Sequence, residues 1–149
     1  MKYIVKQKSK GCFLCKKIKD NKDKKNLIIL RTRKAVSLLN LYPYVNGHAM
    51  VVPRKHTNSL ENLTADEASE VFLHLNKVIL ALKKAFKPDG FNIGLNLGKS
   101  AGAGEDKHLH CHIVPRWQGD TNFMPVFSNT RVIPQSLKQT YDKIKKCLK

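Results

Sequence analysis

No stretch of the sequence approaches the roughly 20 consecutive apolar residues that cross a bilayer, so no membrane-spanning helix is expected. The opening Met1-Lys2-Tyr3-Ile4-Val5-Lys6 is charged within a few residues and lacks the apolar run of a secretory signal. A cytoplasmic location and no membrane partner follow as expectations. Repeats and low-complexity linkers are missing, and 149 residues are too few to suggest two cores, so one domain over 1–149 is expected. Cysteine is sparse, with Cys12, Cys15, Cys111 and Cys147 only, and without a secretion signal a disulfide framework is disfavoured. Acidic residues are scarcest of all relative to their counterparts: 11 Asp and Glu face 28 Lys and Arg, a net charge of +17. That surplus attracts polyanions, including nucleotides, nucleic acid and anionic membranes. The short runs Lys16-Lys17, Lys24-Lys25 and Lys145-Lys146 read equally well as solvated faces.

What is present reads as an α+β chain. A basic N-terminal segment, 1–26, carries Cys12 and Cys15 and enters a short helix. Strands are expected over Leu27–Leu30, Ala35–Leu41 and His48–Val52, the last two joined by the turn formers of Tyr42–Gly47 and therefore antiparallel. Thr64-Ala65-Asp66-Glu67 fits a capping box that opens one long helix. Ala68, Val71, Phe72, Leu75, Val78, Ile79, Leu82 and Phe86 then recur at three- and four-residue steps and mark its buried face. Phe91–Leu97 alternates as a half-buried strand with asparagines on the open face, Gly98–Lys107 is a small-residue loop, and His108–Val114 alternates again. The segment 117–149 gives an irregular loop and a helix after Pro134, with Leu137, Tyr141, Ile144 and Leu148 on one side. About five strands, mainly antiparallel, are expected.

Three of the six histidines fall in His108-Leu109-His110-Cys111-His112. Strand alternation sends the three imidazoles to one solvent-facing surface and Leu109, Cys111 and Ile113 to the core. Such a triplet either binds a metal or holds one nucleophilic imidazole among phosphate-binding neighbours. The preceding Gly98-Lys99-Ser100-Ala101-Gly102-Ala103-Gly104 favours the second, because glycines let backbone amides approach an anion. Arg116 offers a planar fork to phosphate oxygens, and Ser100 and Asn96 add donors.

His108-Leu109-His110-Cys111-His112-Ile113-Val114-Pro115-Arg116 resembles the histidine-triad motif, as do Asn40 to His48, Met50–His56 and Asn96-Leu97-Gly98, in family order. The resemblance implies a five-stranded antiparallel sheet with a long helix and a homodimer with a continuous sheet. It also implies that His110 attacks an α-phosphorus and becomes nucleotidylated, and that His112 lies beside the phosphates. Asn40 matches the position that bonds the ribose hydroxyls, with Leu39 and Leu41 flanking the base, and His48 matches a histidine near the site. Members of the family, and their uridylyltransferase relatives, pair such cysteines with histidines. The implied structural zinc ligands are Cys12, Cys15, His56 and His108, with no organic cofactor. The alternative has His108 on phosphate and free cysteines, and a redox role is disfavoured because no thioredoxin-like first strand precedes the pair.

Trp117–Val126 and Thr130-Arg131-Val132 resemble the branch that includes bacterial diadenosine tetraphosphate phosphorylases. Dinucleoside polyphosphate hydrolases usually carry glutamine about where Gly104 falls, and a glycine leaves room for inorganic phosphate. The expected function is therefore phosphorolysis of diadenosine tetraphosphate to ADP and ATP through adenylyl-His110, with Asn40, Asn96, Ser100, Gly102, Gly104, His112 and Arg116 binding substrate. Hydrolysis of a dinucleoside polyphosphate or a nucleoside phosphoramidate is the alternative. A basic nucleic-acid-binding module is a third reading, weakened by the absence of aromatic-rich RNA-binding sheet motifs, with any nucleic-acid affinity expected to be nonspecific.

Overall fold

The computed structural model describes residues 11–120 and 134–148. In chain order the main elements are α1 (Phe13–Lys19), α2 (Asp23–Asn26), β1 (Ile28–Arg31), β2 (Ala35–Leu39), β3 (Ala49–Pro53), α3 (Ala65–Phe86), β4 (Gly90–Leu95), β5 (Cys111–Arg116) and α4 (Leu137–Cys147). The five strands form one sheet in the order β1-β2-β3-β5-β4, with every neighbouring pair antiparallel. The α+β architecture expected from the sequence is the one observed. No helix among the described residues is long and apolar enough to cross a membrane.

Alternation along the strands divides the side chains between two faces. Ile29, Leu39, Ala49, Val51, Cys111 and Ile113 meet Leu75, Val78, Leu82 of α3 and Tyr141, Ile144 of α4. On the opposite face Ile28, Val36, Leu38, Met50 and Val52 are covered by Leu14 and Ile18 of α1. Arg31 draws α1 and α2 onto the sheet: its guanidinium donates to the carbonyls of Ile18 and Asp20 at 2.6 and 2.8 Å and pairs with Asp23 at 2.7 Å. The expected capping box is present, with the Glu67 amide donating to Thr64 Oγ and the Thr64 amide to Glu67 Oε2. Ser136 and Gln139 cap α4 in the same way.

The strands differ from expectation by one to three residues at their ends, β2 stopping at Leu39 and β4 running Gly90–Leu95, and two of these differences have local reasons. Leu27 takes a left-handed conformation, φ 59°, in capping α2, so β1 starts at Ile28. The strand expected from His108 begins only at Cys111, because the Leu109 amide donates to Thr57 O at 2.7 Å instead of joining the ladder. The stripe on α3 is also rotated. His74 is buried while Phe72 is 73% exposed. The cause is a polar anchor: the Thr32 hydroxyl donates to Glu70, so it accepts from His74 Nε2–H at 2.8 Å, and Ser37 Oγ–H reaches His74 Nδ1 at 2.7 Å.

Gly47 packs on the α3 face of the sheet. It has φ 79°, and a Cβ there would stand 3.1 Å from a Leu82 methyl and 3.3 Å from Pro115 Cγ. Beside it, Thr140 Oγ1 donates to Asn46 Oδ1 at 2.7 Å and Asn46 Nδ2 to Gln135 at 3.1 Å. The turn between β2 and β3 is thereby held by α3, α4 and β5 together.

Candidate active site

The hydrogen bonds around the histidines assign their protons. The Tyr44 amide donates to His48 Nδ1 at 3.1 Å, so the hydrogen of His48 resides on Nε2. His48 Nε2–H then donates to His112 Nδ1 at 2.9 Å, which leaves the hydrogen of His112 on its own Nε2. Burial, with the neighbouring His110 adding to it, pushes His112 down to about 4, so the ring is neutral at physiological pH. His110 Nδ1–H donates to the His108 carbonyl at 2.8 Å, leaving Nε2 as a lone pair. The His110 and His112 rings stand edge to face with centroids 4.9 Å apart. Tyr44 lies over His48 at 4.6 Å.

These imidazoles are less open than alternation suggested. His110 is only 7% exposed and His108 1%, because the chain before Cys111 leaves the ladder and folds toward Thr57. His108 turns to a different group. Its Nε2–H donates to Pro53 O at 2.9 Å, so the Nδ1 lone pair points at Cys12 Sγ (3.3 Å), Cys15 Sγ (3.4 Å) and His56 Nδ1 (3.4 Å). Cys15 Sγ is 3.3 Å from His56 Nδ1, and all four donor atoms lie within 4.8 Å of one another. Tetrahedral zinc at about 2.0–2.1 Å from nitrogen sets two imidazole nitrogens roughly 3.3–3.4 Å apart, so the spacing fits that ion. Helix α1 supplies the cysteines in register, since Cys12 caps its start and Cys15 stands one turn on.

The proposed ribose ligand Asn40 sits next to His48: its amide donates to His48 O at 2.9 Å and its Oδ1 accepts from the Tyr42 amide at 2.9 Å. Of its neighbours, Leu41 is 48% exposed, but Leu39 is fully buried in the core, so the expectation that Leu39 flanks a base is corrected. Gly94 pairs with His112 and Leu95 with Cys111, and the register ends there, with Asn96 and His110 the next residues along the two chains. The loop beyond makes a short turn at Lys99–Ala101 between Gly98 (φ 79°) and Gly102 (φ 85°), with Ser100 and Gly104 exposed. Arg116 is not brought to this group. It lies six residues along β5 from His110, about 20 Å in an extended chain. Its guanidinium is engaged by Asp120 at 2.6 and 2.8 Å and by Asn92 at 2.7 Å. The segments 121–126 and 130–132 used for the branch resemblance lie outside the described residues.

Reasoning from the sequence missed two things: the Tyr44–His48–His112 relay, which depends on a backbone amide and has no side-chain signal, and the His74 anchor.

Comparison with known proteins agrees with this geometry. The HIT domain family matches residues 21–119, well over half of the chain. An AP-4-A phosphorylase of Mycobacterium tuberculosis is 46% identical over 118 residues, which are 79% of this chain and 60% of the relative. The chain thus spans about 60% of that relative's length. An asymmetrical bis(5'-nucleosyl)-tetraphosphatase of Schizosaccharomyces pombe is 33% identical over 62% of this chain and 50% of its own length. A hypothetical histidine triad nucleotide-binding protein from Sulfolobus tokodaii superposes with a TM-score of 0.64 at 30% identity, covering 82% of this chain and 80% of its own. With the sheet order, the paired histidines and the match along most of its length in agreement, the chain belongs to the HIT domain family.

Proposed function

We propose that this protein cleaves diadenosine tetraphosphate by phosphorolysis, through an adenylyl group carried on His110. The observation that carries this reading is the proton assignment: His110 presents Nε2 as a lone pair while His112 presents Nε2–H. In the first half-reaction His110 Nε2 attacks an α-phosphorus and the P–O bond to ATP breaks. The leaving group is itself a polyphosphate anion, so no proton need be delivered to it. The positive charge on the adenylylated ring is met by the His108 carbonyl on Nδ1–H. His112 Nε2–H, the Asn96 amide, Ser100 and the backbone of Gly102 and Gly104 hold the phosphoryl oxygens. Asn40 takes the ribose. In the second half-reaction an oxygen of inorganic phosphate attacks phosphorus, the P–N bond breaks and ADP leaves, the proton of the incoming phosphate passing to solvent. Similarity to the mycobacterial AP-4-A phosphorylase supports the substrate, and the glycine at 104 supports phosphate as acceptor. Similarity to the asymmetrical tetraphosphatase favours hydrolysis as the second reading.

Cys12, Cys15, His56 and His108 are proposed to hold zinc, which would clamp α1 to the start of the active strand as a structural cross-link. A homodimer, in the cytoplasm, is part of the proposal: Phe72, Leu80, Ile93 and Leu95 expose 73%, 49%, 48% and 40% of their surface on α3 and the edge strand β4.

The deciding experiment incubates diadenosine tetraphosphate with saturating phosphate and separates the nucleotides. ADP plus ATP is expected, a rapid quench traps an adenylyl group on His110, and His110→Ala is inactive. ATP plus AMP overturns phosphorolysis, and an active His110→Ala overturns the mechanism.

A further inference from the structure

The charge of this protein is segregated across its sheet. Residues 90–98, covering the β4 edge, contain no charged side chain at all, whereas ten residues, 16–25, contain six lysines. This second segment runs through α1 and α2 and is pinned to the opposite edge strand, β1, by Arg31. The C-terminal helix reaches the same edge from the other face. Lys24 pairs with Asp142 at 3.5 Å and Lys145 Nζ donates to Ile29 O at 3.1 Å. On α4 the side chains that share the face of Asp142 are those three and four residues away, namely Lys138, Gln139, Lys145 and Lys146, three of the four being lysines. Two lysine-rich segments more than a hundred residues apart in sequence thus converge on one edge.

Helix-end compensation does not account for this. Helices α1, α2 and α4 each end in basic residues, but a helix C-terminus presents only about half a negative charge. The acids of these segments, Asp20, Asp23 and Asp142, are already engaged, by Asn26, Arg31 and Lys24. The edge also lacks the features of other polyanion readers. Among the described residues of α1, α2, β1 and α4 one large apolar side chain is exposed, Phe13 at the start of α1, so the lysine-bearing part of the edge, from 16 on, has none. It therefore offers neither a stacking platform for single-stranded bases nor a wedge for a bilayer. Flexible point charges spread along an edge fit a regular ladder of phosphates.

We propose that the β1 edge, formed by α1, α2 and α4, binds the phosphodiester backbone of duplex nucleic acid without regard to sequence. Although α1 with its cap also carries Cys12 and Cys15 of the proposed metal cluster, Lys25 on α2 and Lys138 and Lys146 on α4 stand at the β1 edge, and β1 lies three strand spacings from β5, about 14 Å. Contacts through Lys25, Lys138 and Lys146 release counterions, and each is expected to contribute about 0.9 to the slope of log K against log salt.

The test measures binding of a random-sequence 20-base-pair DNA duplex by fluorescence anisotropy over a salt series. Lys25→Glu/Lys138→Glu/Lys146→Glu is expected to weaken binding at least about tenfold and to lower the slope by about 3. Its turnover of diadenosine tetraphosphate, or its thermal unfolding should that activity be absent, stays at the wild-type level. Lys77→Glu/Lys83→Glu/Lys84→Glu on α3 removes the same charge and is expected to change affinity less than twofold. Equal losses in the two variants would mean that net charge alone binds DNA, and would overturn the edge assignment. So would a wild-type protein that fails to bind the duplex, or one that prefers phosphatidylserine vesicles over it.

Discussion

His48 Nε2 stands 2.9 Å from His112 Nδ1, and with the Tyr44 amide on the far side of the His48 ring this contact has one proton arrangement. A residue outside the alternating triplet therefore decides which nitrogen of His112 carries the proton. Burial and the neighbouring His110 keep His112 neutral across the physiological range, so its Nε2 stays an N–H donor.

Removing that donor should release the tautomer. His48→Ala is expected to lower kcat by roughly 10- to 100-fold, within the usual scale of a misdirected acid–base group, with KM for the dinucleotide changed far less. His48→Gln, whose amide can donate to His112 Nδ1, is expected to recover part of the loss. Steady-state kinetics on the three proteins checks this, and equal rates in the wild type and His48→Ala would refute it.

The cysteine–histidine cluster predicts about one zinc per chain in protein purified without added metal. Cys15→Ser removes one of four ligands and should abolish the bound zinc and lower Tm by roughly 5–10 °C, because metal binding at such a site is folding free energy. Elemental analysis and calorimetry measure the two effects. A metal-free wild type with the same Tm as Cys15→Ser would remove the proposal.

His74 and His112 set the pH dependence of stability. Burial lowers the pKa of both, that of His74 against the opposing pull of Glu70. Their unfolded values lie near 6.5, so as pH falls below that point the unfolded chain takes up protons that the folded chain refuses. Stability is thus fully present above about pH 6.5 and is lost progressively toward pH 4. Asp66, Glu67 and Glu70 have lowered pKa values and act in the same sense only below about pH 4.5. Between pH 6.5 and 4.5 the slope therefore belongs to the histidines. Urea denaturation at pH 7.5, 6 and 5 should show the decline, and His74→Gln should flatten it while lowering stability at pH 7.5. A flat wild-type curve would contradict the assignment.

Much of this was readable in the residues. The capping box at Thr64 and the antiparallel β2–β3 pair follow from patterns short enough to read directly, while the cysteine–histidine group was implied by the family resemblance and is brought together in the structure. What escaped depends on partners distant in sequence. His74 falls within an apolar stripe and becomes visible only when Thr32 and Ser37 arrive on neighbouring segments. Arg116 has the right chemistry for phosphate, but Asp120, four residues on, claims its guanidinium. His110 looked open because alternation assumes a ladder, and the amide of Leu109 leaves that ladder for Thr57.

The packing of Gly47 limits how relatives of this protein can diverge. With Leu82 and Pro115 against its α-carbon and Asn46 tethered to Thr140, the Asn46–His48 end of the turn is fixed, and with it the place of His48 against His112. The turn from Gly98 to Gly104 has no such packing: Gly98, Gly102 and Gly104 are exposed and a Cβ on any of them would meet nothing within 4 Å.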